Sequence, residues 1–400
     1  MLKLDLDDLS FAEGGHVLLR HALRSVDVGQ VVAVHGAAPA LSVHVAAWCR
    51  GEGHSLVTAD GESAAEKDAV VTIRRGSAES ARWSDAERAG TPSLDGVVER
   101  PKASWGLAAR GASVERGGAA FDFRLNEKRV LWADDAARLY QQAVAAQWDP
   151  QSAIDWNAPC DLPAEVEDAV VQVMTYLIEN ETAALLVPAR FLSQLHPHFR
   201  EVMQLLAVQT ADEARHIEVF TRRALLKRDL LGLSTVGGQA SLKTLVDEPD
   251  FALSSLLLSV LGEGSFLSLL WFLNTHGPDP ITRQIAQLAA QDEARHVAFG
   301  MAHLEHQLAA DPSLLERMRS AIQRRHDALS STAGLNDLVY DALIVLAAGA
   351  WTPAAIRTGF QRVADLVQDM HSGRTRRLLR LGFSDAEADE LSALHTKNFM

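Results

Sequence analysis

Asp212-Glu213-Ala214-Arg215-His216 recurs as Asp292-Glu293-Ala294-Arg295-His296, 80 residues further on. Each copy sits in a long stretch with apolar residues at helical spacing. Within each copy, glutamate and histidine stand three residues apart. On a helix they share one face, so carboxylate and imidazole can reach one metal ion together. The short pattern alone carries little, since Glu13 and His16 repeat it near the N-terminus without support. A second repeat gives it weight. Glu181 precedes the first copy's glutamate by 32 residues and Glu263 precedes the second's by 30, both in apolar stretches. The chain therefore reads Glu, Glu-x-x-His, Glu, Glu-x-x-His over four successive predicted helices.

Those helices are predicted at about 163–195, 199–230, from Pro249 onward, and from Pro280 to about 309. Glu181 continues the apolar stripe of Val170, Met174 and Leu177, whereas Glu179 falls on another phase and is expected in solvent. Two amphipathic helices with paired Glu and His would show the same pattern. Four buried carboxylates without a metal, however, would repel one another and lose their hydration at great cost.

The ligand order resembles that of the ferritin-like di-iron and di-manganese carboxylate bundles, which take one Glu from each of two helices and Glu-x-x-His from each of the others. The resemblance covers about residues 126–310. It implies Glu181, Glu213, His216, Glu263, Glu293 and His296 as metal ligands. Glu213 and His216 would hold one ion, Glu293 and His296 the other, with Glu181 and Glu263 completing the shell and carboxylates bridging. Two iron ions are implied, with Mn/Fe also open, and O2 as co-substrate; carboxylate and imidazole ligands suit both metals. In this family the Asp of each copy supports the His of the other. Asp292 is thus expected beside His216 and Asp212 beside His296, with Arg215 and Arg295 pairing with them.

Gly262 and Gly264 flank Glu263, at a cost of about 1 kcal/mol each inside a helix. Either space wanted near the metals or close helix packing explains them. The expected pocket comprises Leu177, Ala184, Phe220, Gly262, Gly264, Phe266 and Leu267. His303, two turns after His296, is an outlying ligand candidate.

The same resemblance bears on function. The radical subunit of ribonucleotide reductase needs a tyrosine one turn past the first His, where this chain has Phe220. The best fit is a non-haem di-iron oxygenase or oxidase. Its partners would be a small-molecule or carrier- or peptide-bound substrate and an external electron donor, with a homodimer left open. A ferroxidase, or a non-catalytic interaction protein with a structural di-metal site, stays open beside it.

Outside the bundle the chain reads differently. Residues 1–76 alternate strand-like and helix-like segments as a small β-α-β-α-β-β unit. Leu4-Asp5-Leu6, the Val31 to Val34 strand, and Val45 to Cys49 leading to Gly53-His54 resemble the TusA/SirA-like sulfur-carrier fold. The family's Cys-Pro is replaced by Phe11 and Ala12, so no persulfide chemistry is implied, and Cys49 is expected to be packed. A docking or substrate-presenting module, or a structural role, is the expectation. Residues 77–125, rich in Ser, Gly and charge, read as a linker. Residues 311–400 read as a helical extension, with a basic run at Arg374 to Arg380 that is either a solvated face or a seat for an acidic partner.

The formal charge of −14 argues against nucleic-acid partners, and two cysteines are too few for a disulfide scaffold. No stretch of 18 uninterrupted apolar residues and no apolar leader core is present, so no membrane partner and a cytoplasmic location are expected. The overall expectation is a mainly α protein: a ferritin-like four-helix bundle with extra C-terminal helices, preceded by a small α/β domain.

Overall fold

The computed structural model describes residues 1–57, 70–330 and 337–394. The sequence reads as strands over Ser55 to Thr58 and Ala69 to Arg74 and as a helix over Leu335 to Ala347; of these Thr58, Ala69 and Leu335, with the tail from His395, lie outside the described residues. The chain forms two compact units, residues 1–92 with 111–119, and residues 93–110 with 120–400.

The first unit follows the element order read from the sequence: β1 (Leu2–Asp5), α1 (Gly15–Arg24), β2 (Val31–His35), α2 (Leu41–Glu52), β3 (Ser55–Leu56) and β4 (Val71–Arg74). The sheet order is β1-β2-β4-β3. β1 runs parallel to β2, which requires a crossover, and α1 supplies it. β4 is antiparallel to both of its neighbours. Leu19, Leu23, Val45 and Cys49 from the helices pack on Val32, Val34 and Ile73 of the sheet. Cys49 is 1% exposed, and burial pushes its thiol up to about 11, so it packs as a small apolar side chain. Phe11, in a 3-10 turn, lies edge-on to Trp48.

Residues 77–125 are divided between the units rather than forming a separate linker. β5 (Glu87–Arg88) pairs with β6 (Ser113–Val114) in the first unit. Residues 93–110 are tied into the second. The Val98 N–H donates to His198 Nε2 at 3.0 Å, and buried Arg110 donates twice to Glu201, at 2.8 and 2.5 Å. Composition conceals these ties because they rest on one arginine and one backbone amide in a polar stretch.

The second unit is helical: α3 (Ala136–Ala145), α4 (Ala164–Leu192), α5 (Arg200–Ala224), α6 (Val236–Val246), α7 (Phe251–His276), α8 (Pro280–Ala310), α9 (Leu314–Ser330), α10 (Asp337–Ala348), α11 (Pro353–Arg380) and α12 (Asp385–Ala393). α4, α5, α7 and α8 form a four-helix bundle in which α4 packs on α5 and α7 on α8. The C-terminal helices clothe it, with α10 against α4 and α11 against α10 and α7. α8 opens at Pro280, and the Asp279 side chain accepts the Thr282 N–H at 2.9 Å, a capped start with proline in the first turn. Residues 127–148, whose apolar spacing at Val130, Ala133, Ala137, Tyr140 and Val144 reads as one helix, form two pieces, Lys128–Leu131 and α3. The Trp132 indole N–H donates to Asp134 Oδ1 at 3.0 Å in the break.

α7 is long and apolar enough by composition to cross a membrane, with mean hydropathy 1.8. Here 83% of that window is buried within the protein, as the central helix of this unit. At one end of the bundle, fully buried Arg223 of α5 donates to Glu167 of α4 at 2.7 and 3.1 Å, to Asp279 at 2.9 Å and to Thr282 at 3.0 Å. Burial opposes its charge, but the two carboxylates hold the guanidinium above its ordinary pKa.

Candidate metal centre

Glu181 of α4, Glu213 and His216 of α5, Glu263 of α7, and Glu293 and His296 of α8 are brought together in the bundle core, all buried. Their donor atoms form two groups. Glu181, Glu213, His216 and Glu293 make one, and Glu213, Glu263, Glu293 and His296 the other, each with its atoms within 4.8 Å of one another. His216 Nδ1 lies 3.6 Å from Glu181, 3.4 Å from Glu213 and 3.4 Å from Glu293. His296 Nδ1 lies 3.1 Å from Glu213, 3.4 Å from Glu293 and 4.0 Å from Glu263. The glutamate of each Asp-Glu-Ala-Arg-His copy thus belongs to both groups, and Glu181 and Glu263 to one each.

The donor chemistry fits a pair of ions. Both oxygens of Glu213 and Glu293, one of Glu181, one of Glu263, and both Nδ1 atoms have no hydrogen-bond partner among the described residues. Buried polar atoms are rarely left so, and here they converge. Burial, with Glu213 beside it, raises the Glu181 carboxyl well above its usual range. Burial and Glu293 do the same for Glu263. Burial opposes charge on the imidazoles, yet Glu181 raises His216 and Glu213 raises His296 well above 6.5. The metal-free cluster therefore holds protons that an entering ion must displace. Mn(II) uptake is expected to release protons and to tighten as pH rises. Isothermal titration in buffers of differing ionisation enthalpy measures this, and an affinity unchanged between about pH 6 and pH 8 would contradict it.

The histidines are oriented by a crossed pair of aspartates. His216 Nε2–H donates to Asp292 Oδ2 at 3.2 Å, and His296 Nε2–H to Asp212 Oδ2 at 3.3 Å. This fixes the tautomer that turns both Nδ1 lone pairs inward. Arg215 bridges the two aspartates, at 2.5 Å to Asp212 and 2.8 Å to Asp292, and Arg295 bonds Asp292. Burial works against Asp292, but His216 and Arg215 hold it well below the usual carboxylate range. Asp292→Ala is expected to weaken metal binding by roughly 10- to 100-fold. Competition with a chromophoric chelator reads this, and parental affinity would show that the pairing does not matter.

Some residues of the site carried no sequence signal. Trp148 Nε1–H donates to Asp292 at 2.8 Å, and Gln147 donates to Asp212 at 2.9 Å while accepting from Arg215 at 2.6 Å. Their partners lie far along the chain, so the sequence shows Trp148 only as a helix end. Gln209 donates to Glu263 Oε1 at 2.9 Å, and Ser259 stands on the same helix as Glu263. These two were discernible, one turn before Glu213 and Glu263 respectively.

The α7 backbone departs from a regular helix at the site. Leu256–Glu263 is π-helical, and Glu263 is its last residue. Such segments recur at functional sites because they turn a side chain out of α register. Gly264 does not open space for a substrate. A Cβ there would overlap the Arg377 guanidinium, so close packing with α11 accounts for it.

The other expected pocket residues lie in or beside the packed core. Leu177, Ala184, Phe220, Gly262 and Phe266 are buried, Leu267 partly so, and none lines the small cavity beside the cluster. That cavity, about 20 Å³, lies between Val187, Pro188 and Phe191 of α4, Gln209 of α5, Ser255 and Ser259 of α7, and Phe299 of α8. It has room for about one water molecule. His303 belongs to neither donor group. Its Nδ1–H donates to Trp132 O at 3.2 Å, Phe251 and Phe299 flank its ring, and burial draws it down to about 4, leaving a neutral core histidine.

No family model matches the chain, and no curated protein matches it. Among solved structures it is similar to a variant of an R2-like ligand-binding oxidase with an aerobically reconstituted Fe/Fe cofactor. Identity is 16% and the TM-score 0.49, over 64% of this chain and 95% of that one. It is also similar to another variant of an R2-like ligand-binding oxidase, with an Mn/Fe cofactor, at 16% identity and TM-score 0.46, over 60% of this chain and 93% of that one. Likeness at this level says nothing of this chain's chemistry. No comparison supports a TusA/SirA-like assignment for residues 1–76.

Proposed function

We propose that this protein is a di-metal oxidase or oxygenase that holds two iron ions, or one manganese and one iron, and uses O2 on a small organic or carrier-bound substrate. One observation carries the reading: two four-residue donor groups share Glu213 and Glu293, and the atoms facing inward have no other partner. In this reading Glu181 and Glu263 are the terminal carboxylates and Glu213 and Glu293 the bridges. The bound ions would supply the electrons that reduce O2, and an external donor would restore them. Four carboxylates balance two divalent ions, so the buried site is near neutral when filled. Gln209 holds Glu263 in place, and the crossed aspartates hold the imidazoles. The N-terminal unit, lacking a thiol at Phe11 and Ala12, serves docking or presentation rather than sulfur transfer.

The test is the amount of Fe(II) oxidised when anaerobically reconstituted protein meets O2. About two irons per chain and then a stop, followed by O2 uptake on adding reductant, is the expected result. Many irons per chain would show a ferroxidase. Bound metal with no O2 reaction would show a structural site in an interaction protein.

A further inference from the structure

The small cavity of about 20 Å³ beside the donor cluster is walled entirely by buried residues. Phe191 of α4, Phe251 of α7 and Phe299 of α8 face it, with Val187, Leu206 and Leu258. Protein interiors pack closely and hold few such voids. Two of its walls carry backbone irregularities. Pro188 sits inside α4, where it removes a helical hydrogen bond. Leu258 and Ser259 belong to the π segment of α7. Irregular helices leave gaps where regular ridges would interdigitate. The cavity also borders the donors. Gln209 lines it and donates to Glu263 Oε1 at 2.9 Å, and Ser259 stands one turn before Glu263. A molecule held there is one side chain away from a metal ligand.

The lining selects an apolar occupant. A buried water needs about two to four polar partners. Most of the polar side chains here are already engaged. Ser254 Oγ donates to Glu248 O at 2.8 Å and accepts from Arg190 at 3.2 Å. Ser255 Oγ donates to Phe251 O at 2.9 Å, and the Gln209 amide is committed to Glu263. Apolar cavities stay dry and take up apolar guests such as xenon.

We propose that this cavity is a docking site for molecular oxygen, from which O2 reaches the ions past Gln209, on the Glu263 side of the cluster. This rests on the di-metal reading above. O2 is uncharged, apolar and little larger than water, so it partitions from solution into such a lining, whereas ions and hydrogen-bonding solutes do not. Val187 and Leu258, on opposite helices, set the room available to it and touch no metal donor group.

The test is xenon NMR of the full-length protein loaded with Zn(II). Xenon is expected to bind saturably, and replacing Zn(II) by paramagnetic Mn(II) should broaden the bound signal. Val187→Leu adds one methylene to the wall and should weaken xenon binding about tenfold or more. Leu258→Phe should do the same, and serves if the first variant does not fold. Exposed Leu186→Ala should leave it unchanged. In the Fe(II)-loaded protein, Val187→Leu should slow the reaction with O2 about tenfold at unchanged iron content. Xenon under pressure should slow the parent's reaction as well. No saturable xenon binding in the parent, equal binding in Val187→Leu and the parent, a bound signal that Mn(II) leaves sharp, or an equal O2 rate at equal iron content overturns the docking site. Loss of the di-metal reading shows separately, as a parent protein that binds neither Zn(II) nor Mn(II).

Discussion

Glu213→Ala is expected to cost the chain both metal ions, not one. Its two oxygens face different histidines, 3.4 Å from His216 and 3.1 Å from His296, and it belongs to both donor groups. Removing it takes a ligand from each ion. It also removes the charge that most raises His296, so the remaining cluster is less anionic as well as less complete. Since loss of a supporting partner alone costs roughly 10- to 100-fold in affinity, loss of a shared ligand should exceed 100-fold for the pair. Glu181→Ala, by contrast, should chiefly weaken the ion of the His216 group. Elemental analysis after dialysis against a weak chelator distinguishes them. Full metal content in Glu213→Ala would reject the shared-ligand geometry, and equal losses in both variants would reject the division into terminal and bridging carboxylates.

Arg223→Ala is expected to give the largest loss of stability, about 3–5 kcal/mol. The residue has no exposed surface and satisfies Glu167, Asp279 and Thr282 at once. Its removal leaves two buried carboxylates without a counter-charge, the costly half of a broken buried pair. It also unties α4 and α8 from α5 near their starts, although no metal donor is touched. Denaturant unfolding of the metal-free protein measures the change. The double variant Glu167→Gln, Asp279→Asn on the Arg223→Ala background should recover a good part of it. A loss below about 1 kcal/mol for Arg223→Ala would mean that water replaces the guanidinium.

Much of the site was legible because metal chemistry is written in residue types at helical spacing. The two Glu-x-x-His turns, Glu181 and Glu263 needed only a period of 3.6 and an apolar context to be placed on one core. The crossed aspartates followed from the resemblance, and the structure places Asp292 at His216 and Asp212 at His296. What could not be read depends on backbone registers and distant pairings. The π segment before Glu263 has an apolar composition that an α-helix would share, so its backbone register carries no sequence signal. Trp148 and Gln147 reach the site across the fold. Arg374 and Arg377 sit in a run that looks like an exposed basic face, and only packing separates the buried members from exposed Arg376. Residues 93–110 looked like linker because their anchors are isolated.

The π-helical stretch from Leu256 to Glu263 makes the length of this segment as much a determinant of the centre as its residues. A π turn takes up residues that an α turn cannot. Deleting a single leucine from it would let α7 relax to an ordinary helix while keeping every ligand, every polar contact partner and the composition. Each residue swings a side chain by about 100° around a helix axis. Because the π segment has taken up about that one residue, the helix on either side would largely keep its register, and the side chains displaced would be those inside the segment, Leu258 and Ser259 beside the small cavity among them.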